Sequence, residues 1–147
     1  MSEPANVLVV AHQTAATAPL LEAVRERARR SPASFHLVVP SRPHGLDKLM
    51  DPADHGQDEA ARAMQDALPR LSSAAGSEVT GEVGDSEPLM AIQDALTAGD
   101  YDEIIISTLP LGISRWLRLD VISKARALGP PVSHVLAPSK EKAAAGV

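Results

Sequence analysis

Three short stretches of this chain carry the side chains best suited to chemistry, and each follows or precedes an apolar run. His12, Gln13 and Thr14, with Thr17 close behind, directly follow the run at 6–11. An imidazole among hydroxyls at the end of a strand suits ligand contact or proton transfer. The plainer reading is a histidine satisfied within its own turn. Ser107 and Thr108 close the run at 103–107, and Ser114 follows in the next loop. None of these hydroxyls sits in a Gly-x-Ser-x-Gly elbow. Arg115 and Arg118 precede Asp120. The arginines either pair with Asp120 or Asp102, or form a separate anion site. Asp120 has the position of a helix N-cap.

Several chemistries are absent from the sequence. There is no Gly-x-Gly-x-x-Gly and no Walker loop. No cysteine is present, so disulfides, thiol catalysis and thiolate metal sites are excluded, in keeping with a reducing cytosol. The histidines at 12, 36, 44, 55 and 134 show no HxH, HxxxH or His–carboxylate spacing, so no metal is expected. His36 and His134 fall in strands, as packed or edge residues, and His44 and His55 in a polar loop. A phosphoreceiver domain needs acids after its first and third strands, and VLVVAHQT has none.

The elements that would position these residues follow from hydrophobic periodicity. The continuous apolar run at 6–11 reads as a buried parallel strand. Thr17 is a plausible N-cap and Pro19 suits a first turn. Leu20, Leu21, Val24 and Ala28 then recur at helical spacing, and Pro32 stops the helix. Residues 35–39 read as a second strand and 40–55 as a loop. A second helix carries Ala60, Ala61, Met64, Leu68 and Leu71 on one face. Pro69 inside it costs roughly 3 kcal/mol and predicts a kink or an early break. Gly76 suits its end. A weaker strand at 78–83 leads to a turn at 84–88. A third helix has the stripe Leu89, Ile92 and Leu96, and stops at Gly99. The fourth strand is 103–107. A fourth helix, capped by Asp120, turns Val121, Ile122, Ala125 and Leu128 inward and ends at Gly129. The fifth strand is 131–136. Alternating strands and helices imply a parallel sheet covered on both faces.

The bulk numbers agree with one globular domain. The chain has 147 residues, of which 44% are hydrophobic. Only 2% are aromatic, so stacking platforms for bases are nearly missing. The net charge of -5, with no evident basic face, disfavours nucleic acid and acidic membranes. No apolar run approaches the roughly 18 residues of a membrane span, and MSEPANVLVV lacks the features of a signal peptide.

Three stretches resemble the universal stress protein family: VLVVAHQT at 7–14, VGDSEPLMAI at 83–92, and residues 104–136 with their long loop, helix and Pro-Val strand. The resemblance spans residues 6–138. It implies an α/β fold, an open five-stranded parallel sheet in the order 3-2-1-4-5 with helices on both faces, of the adenine-nucleotide α-hydrolase-like kind. It also implies a ligand crevice between strands one and four, lined by residues 12–17 and 108–119. ATP-binding members of that family carry Gly-x2-Gly-x9-Gly-Ser/Thr after the fourth strand. Here the spacing puts Ser107, Pro110, Asp120 and Val121 at those positions. His12 matches the family's nucleoside-contacting Asp. Asp120 could then fill the anion site itself and exclude phosphate.

The expectation is therefore one domain at 1–138 and a disordered tail at 139–147. The function expected is a non-enzymatic regulatory or stress-response module, cytoplasmic, acting through a protein partner or small ligand that is not ATP, and needing no cofactor. Its crevice would be lined by His12, Gln13, Thr14, Ser107, Thr108, Pro110, Gly112, Ser114, Arg115 and Asp120. Trp116, beside Leu117, would be buried and anchor the long loop on the core or at a subunit contact, with adenine stacking as its other reading. A homodimer would form through the fifth strand, at Val132, His134 and Leu136, because an exposed apolar edge invites pairing. The alternative is a nucleotide-binding or nucleotide-processing enzyme of the same superfold, using the crevice at His12 and Ser114.

Overall fold

The computed structural model describes residues 4–11, 17–41, 55–85, 87–108 and 119–136. Its elements run β1 (Ala5–Val10), α1 (Ala18–Arg30), β2 (Ala33–Pro40), α2 (His55–Ala75), β3 (Thr80–Gly84), α3 (Pro88–Ala98), β4 (Glu103–Thr108), α4 (Leu119–Arg126) and β5 (Val132–Leu136). The strands form one sheet in the order β3-β2-β1-β4-β5. Every neighbouring pair is parallel.

Strand alternation divides the core in two. Val7, Val9, Phe35, Leu37, Val39 and Ile105 face one way and meet Leu20 and Val24 of α1 and Ala67 and Leu71 of α2. Leu8, Val10, Val38, Ile104 and Ile106 face the other way and meet Ala91, Ile92 and Ala95 of α3 and Ile122 and Ala125 of α4. Val7, Leu8, Val9 and Val10 are all 0% exposed, which is why β1 reads as an unbroken apolar run. Full burial of each such side chain contributes roughly 1.5–3 kcal/mol.

Polar contacts fasten the amino end of the sheet. Arg27, in the last turn of α1, donates from Nε to both carboxylate oxygens of Glu103, at 2.9 and 2.8 Å, and from Nη2 to Oε2 at 2.6 Å. Its Nη1 donates to Ser31 Oγ at 2.9 Å. The Glu103 hydrogen bonds hold the guanidinium protonated, burial opposes them, and the charges of Glu103 and Asp102 add support. Asp102 Oδ2 accepts from the Asn6 N–H at 2.8 Å, which joins β1 to the start of β4.

Four local expectations are corrected. Helix α2 does not break at Pro69 but continues to Ala75. Ala67, Leu71 and Ala74, buried on either side of the proline, tie both halves to the same face of the sheet. The stripe of α3 is rotated: Pro88, Ala91, Ile92 and Ala95 are buried, while Leu89 and Leu96 are only half-buried. Small side chains carry this seam because the helix lies very close to the sheet. An added Cβ at Gly84 would stand 2.9 Å from Ala91 Cβ. Strand β3 runs two residues later at its start than expected and takes in Gly84. Asp120 is not the N-cap, since α4 already begins at Leu119. Gly76, at φ 74, and Gly129, at φ 126, end their helices in the left-handed region, as the sequence implies.

Candidate functional site

The chain order reverses at β1, which has β2 on one side and β4 on the other. A crevice opens at such a point beyond the carboxyl ends of the strands. Val10, Ala11, Ser107 and Thr108 stand at the carboxyl ends of β1 and β4 there, each between 0% and 4% exposed. Ser107 is a residue of β4 and pairs in register with Val135 of β5. Alternation turns its side chain to the α1/α2 face, with Ile105, and turns Thr108 to the α3/α4 face, with Ile106. The two neighbouring hydroxyls therefore do not act as a pair. Thr108 Oγ1 instead lies 2.7 Å from His134 Nε2. Burial, and secondarily the charge of Arg126, pushes His134 below the usual imidazole range. A neutral ring and a buried hydroxyl thus join β4 to β5.

The remaining crevice candidates, His12, Gln13, Thr14, Pro110, Gly112, Ser114 and Arg115, lie outside the described residues, as do Trp116 and the tail at 139–147. Of the dimer candidates, Val132 packs against the α3/α4 core, His134 holds Thr108, and Leu136 is 57% exposed. Among the described residues no group of three or more His, Asp or Glu is placed to hold a metal ion. None of the described helices is long and apolar enough to cross a membrane.

A second polar cluster, at the β3 edge of the sheet, was not foreseen. His36 pairs in register with Thr80 on the edge strand β3. Its Nδ1 lies 2.7 Å from Thr80 Oγ1, and its Nε2 lies 3.3 Å from Glu82 Oε1. Tyr101 stacks on the ring, with centroids 6.4 Å apart and an interplanar angle of 28°. Burial first, and the charge of Glu82 second, pushes the Tyr101 hydroxyl up. The only signal in the sequence is the i, i+2 spacing of Thr80 and Glu82, which puts both on one face of a strand. The register that brings His36 to them is a property of the assembled sheet.

No protein-family model and no curated protein matches this chain in sequence. Its similarity lies in three dimensions. A universal stress protein from Archaeoglobus fulgidus superposes with a TM-score of 0.64 over 89% of this chain and 93% of its own, at 21% identity. The fold is that of the universal stress proteins. Universal stress protein UspA from Lactobacillus plantarum matches 93% of this chain and 99% of its own, with a TM-score of 0.64 and 19% identity. A universal stress protein family protein from Arabidopsis thaliana, with AMP bound, matches 94% and 95%, with a TM-score of 0.62 and 14% identity. Other structures with the universal stress protein fold are complexes with dAMP and cAMP. Identities this low speak for the fold alone, so the site must be argued from the residues of this chain.

Proposed function

We propose that this chain is a non-enzymatic regulatory module of the universal stress protein type, acting in the cytoplasm as a homodimer. In this reading it binds a protein partner or small ligand at the β1/β4 crevice and does not bind ATP in that family's manner. The observation that carries the proposal is Ser107. It stands where the spacing puts the first glycine of the phosphate loop, yet it is a strand residue of β4, 0% exposed and in register with Val135. A phosphate loop needs backbone that leaves the strand and approaches the ligand closely. A buried side chain inside the ladder works against both. The same spacing puts Asp120 where that motif has its third glycine, in place of a residue that lets phosphate approach the backbone closely.

The test is a thermal melt with millimolar Mg-ATP. A ligand at about 100 times its dissociation constant stabilises by ~2.7 kcal/mol. The expected result is no shift in melting point. A shift of several degrees that is abolished by blocking the crevice at Gly112 overturns the proposal. The alternative, a nucleotide-binding or nucleotide-processing enzyme working through His12 and Ser114, draws support from the structural neighbours in complex with adenosine monophosphates. Mass spectrometry of ligand carried through purification separates the two readings, because the second requires an adenine nucleotide in the crevice.

A further inference from the structure

We infer that Thr80 is a self-modifying hydroxyl that accepts the acyl group of a small activated ester, with His36 as its base and Glu82 as a positioning residue. Three features of the β2–β3 edge support this.

The first is the order of the contacts. Thr80 Oγ1 is 2.7 Å from His36 Nδ1, and Glu82 Oε1 is 3.3 Å from Nε2 on the far side of the same ring. A carboxylate facing Nε2 favours the neutral tautomer with its proton there. Nδ1 is then left as an acceptor for the Thr80 O–H. This is the relation of hydroxyl, imidazole and carboxylate that activates a nucleophile. Tyr101, stacked on the imidazole, restrains the ring plane.

The second is access. Thr80 and Glu82 are exposed and His36 is half-buried, so an ester can reach the hydroxyl from solvent. The site lies on the edge strand β3 and its neighbour β2, displaced sideways from the β1/β4 switch point.

The third is the backbone beside the nucleophile. The Ser41 N–H donates to the Gly84 carbonyl at 3.1 Å, so Gly84 faces β2. Alternation then turns Thr80 and Glu82 toward β2 as well, and turns the Gly81 N–H to the outer side of this edge strand. The N–H following a nucleophile is a recurrent oxyanion donor.

In the reaction, the Thr80 O–H gives its proton to His36 Nδ1 as Oγ1 attacks the ester carbonyl. The Oγ1–carbon bond forms, and the bond from carbon to the alcohol or phenol oxygen breaks. The proton on Nδ1 goes to the leaving oxygen or to solvent. The product is an O-acyl threonine, and no oxidant, reductant or metal is required.

The probe is p-nitrophenyl acetate. Intact mass and peptide mapping would follow the acetyl group, and nitrophenolate release would give the rate. One acetyl group is expected on the peptide containing Thr80, ahead of the lysines. Thr80→Val should abolish it, and His36→Asn should slow it tenfold or more, as expected for loss of a general base. Glu82→Gln should slow it severalfold and Glu82→Asp should recover part of the rate. A purely structural role for Glu82 would not produce that graded response. Melting curves of each variant would confirm folding. Acetylation confined to amines, or a Thr80 rate unchanged in His36→Asn, would overturn the inference.

Discussion

At Gly84 an added Cβ would stand 2.8 Å from Val38 Cγ1 and 2.9 Å from Ala91 Cβ. Neither neighbour can swing aside, since Val38 is in the core and Ala91 has no rotamer to change. Gly84→Ala is expected to lose about 1–3 kcal/mol by overpacking. In a domain of this size that lowers Tm by roughly 2–4 °C for each kcal/mol. An unchanged denaturation midpoint would mean that α3 moves freely on the sheet. The sequence marks Gly84 as a turn residue beside Asp85 and Ser86, but nothing in it says that a helix crosses so near. His134 gives a second test. Its folded form titrates below the ordinary imidazole value of about 6.5, because burial and then Arg126 disfavour the charged ring. The unfolded chain therefore binds the proton first as pH falls. The contribution of His134 is complete above about pH 6.5 and is lost as pH drops toward its folded value. Melting curves at pH 7.5 and 5.5 should show a smaller acid loss in His134→Gln than in the parent. Equal losses would assign the acid sensitivity elsewhere.

Helix α2 shows local propensity yielding to packing. Pro69 is exposed and interrupts the hydrogen bonding of the helix, yet the helix runs on to Ala75. Leu71 and Ala74 beyond it are buried. Ser72 Oγ also accepts from the Val79 N–H at 3.0 Å, which fixes the approach to β3. Pro69→Ala restores the missing N–H without touching the core. It should raise stability by up to about 3 kcal/mol, read as a higher urea midpoint at unchanged slope. A lower midpoint would show that the proline's fixed geometry is needed. All nine elements of the described residues were legible in the sequence, since long apolar stripes and Gly or Pro stops mark them. The facing of α3 was not, because Ala91 and Ala95 carry too little hydrophobic signal to outvote Leu89 and Leu96. The place of Ser107 and Thr108 at the end of β4 was readable from the end of a strand run. The His36–Thr80 contact was invisible, because it joins residues 44 apart through strand register alone.

For the molecule as a whole, β3 and β5 are the edges of the sheet. Leu136 on β5 is 57% exposed, more than any other large hydrophobic side chain among the described residues. Dimerisation through β5 predicts that light scattering at tens of micromolar returns twice the chain mass, and that Leu136→Lys shifts it toward one chain. A single-chain mass for the parent would reject this edge as the interface. The alternation of strands and helices made the parallel class readable. The strand order came from the resemblance, since periodicity cannot say that β1 lies between β2 and β4. That central placement also matters while the chain is being made. β1 leaves the ribosome well before its partner β4, which lies about a hundred residues later, as the 96-residue separation of Asn6 and Asp102 measures. At about 5–20 residues per second, β1 waits roughly 5–20 s with one side unpaired. Its four fully buried aliphatic residues are the stretch that a nascent-chain chaperone has most reason to cover.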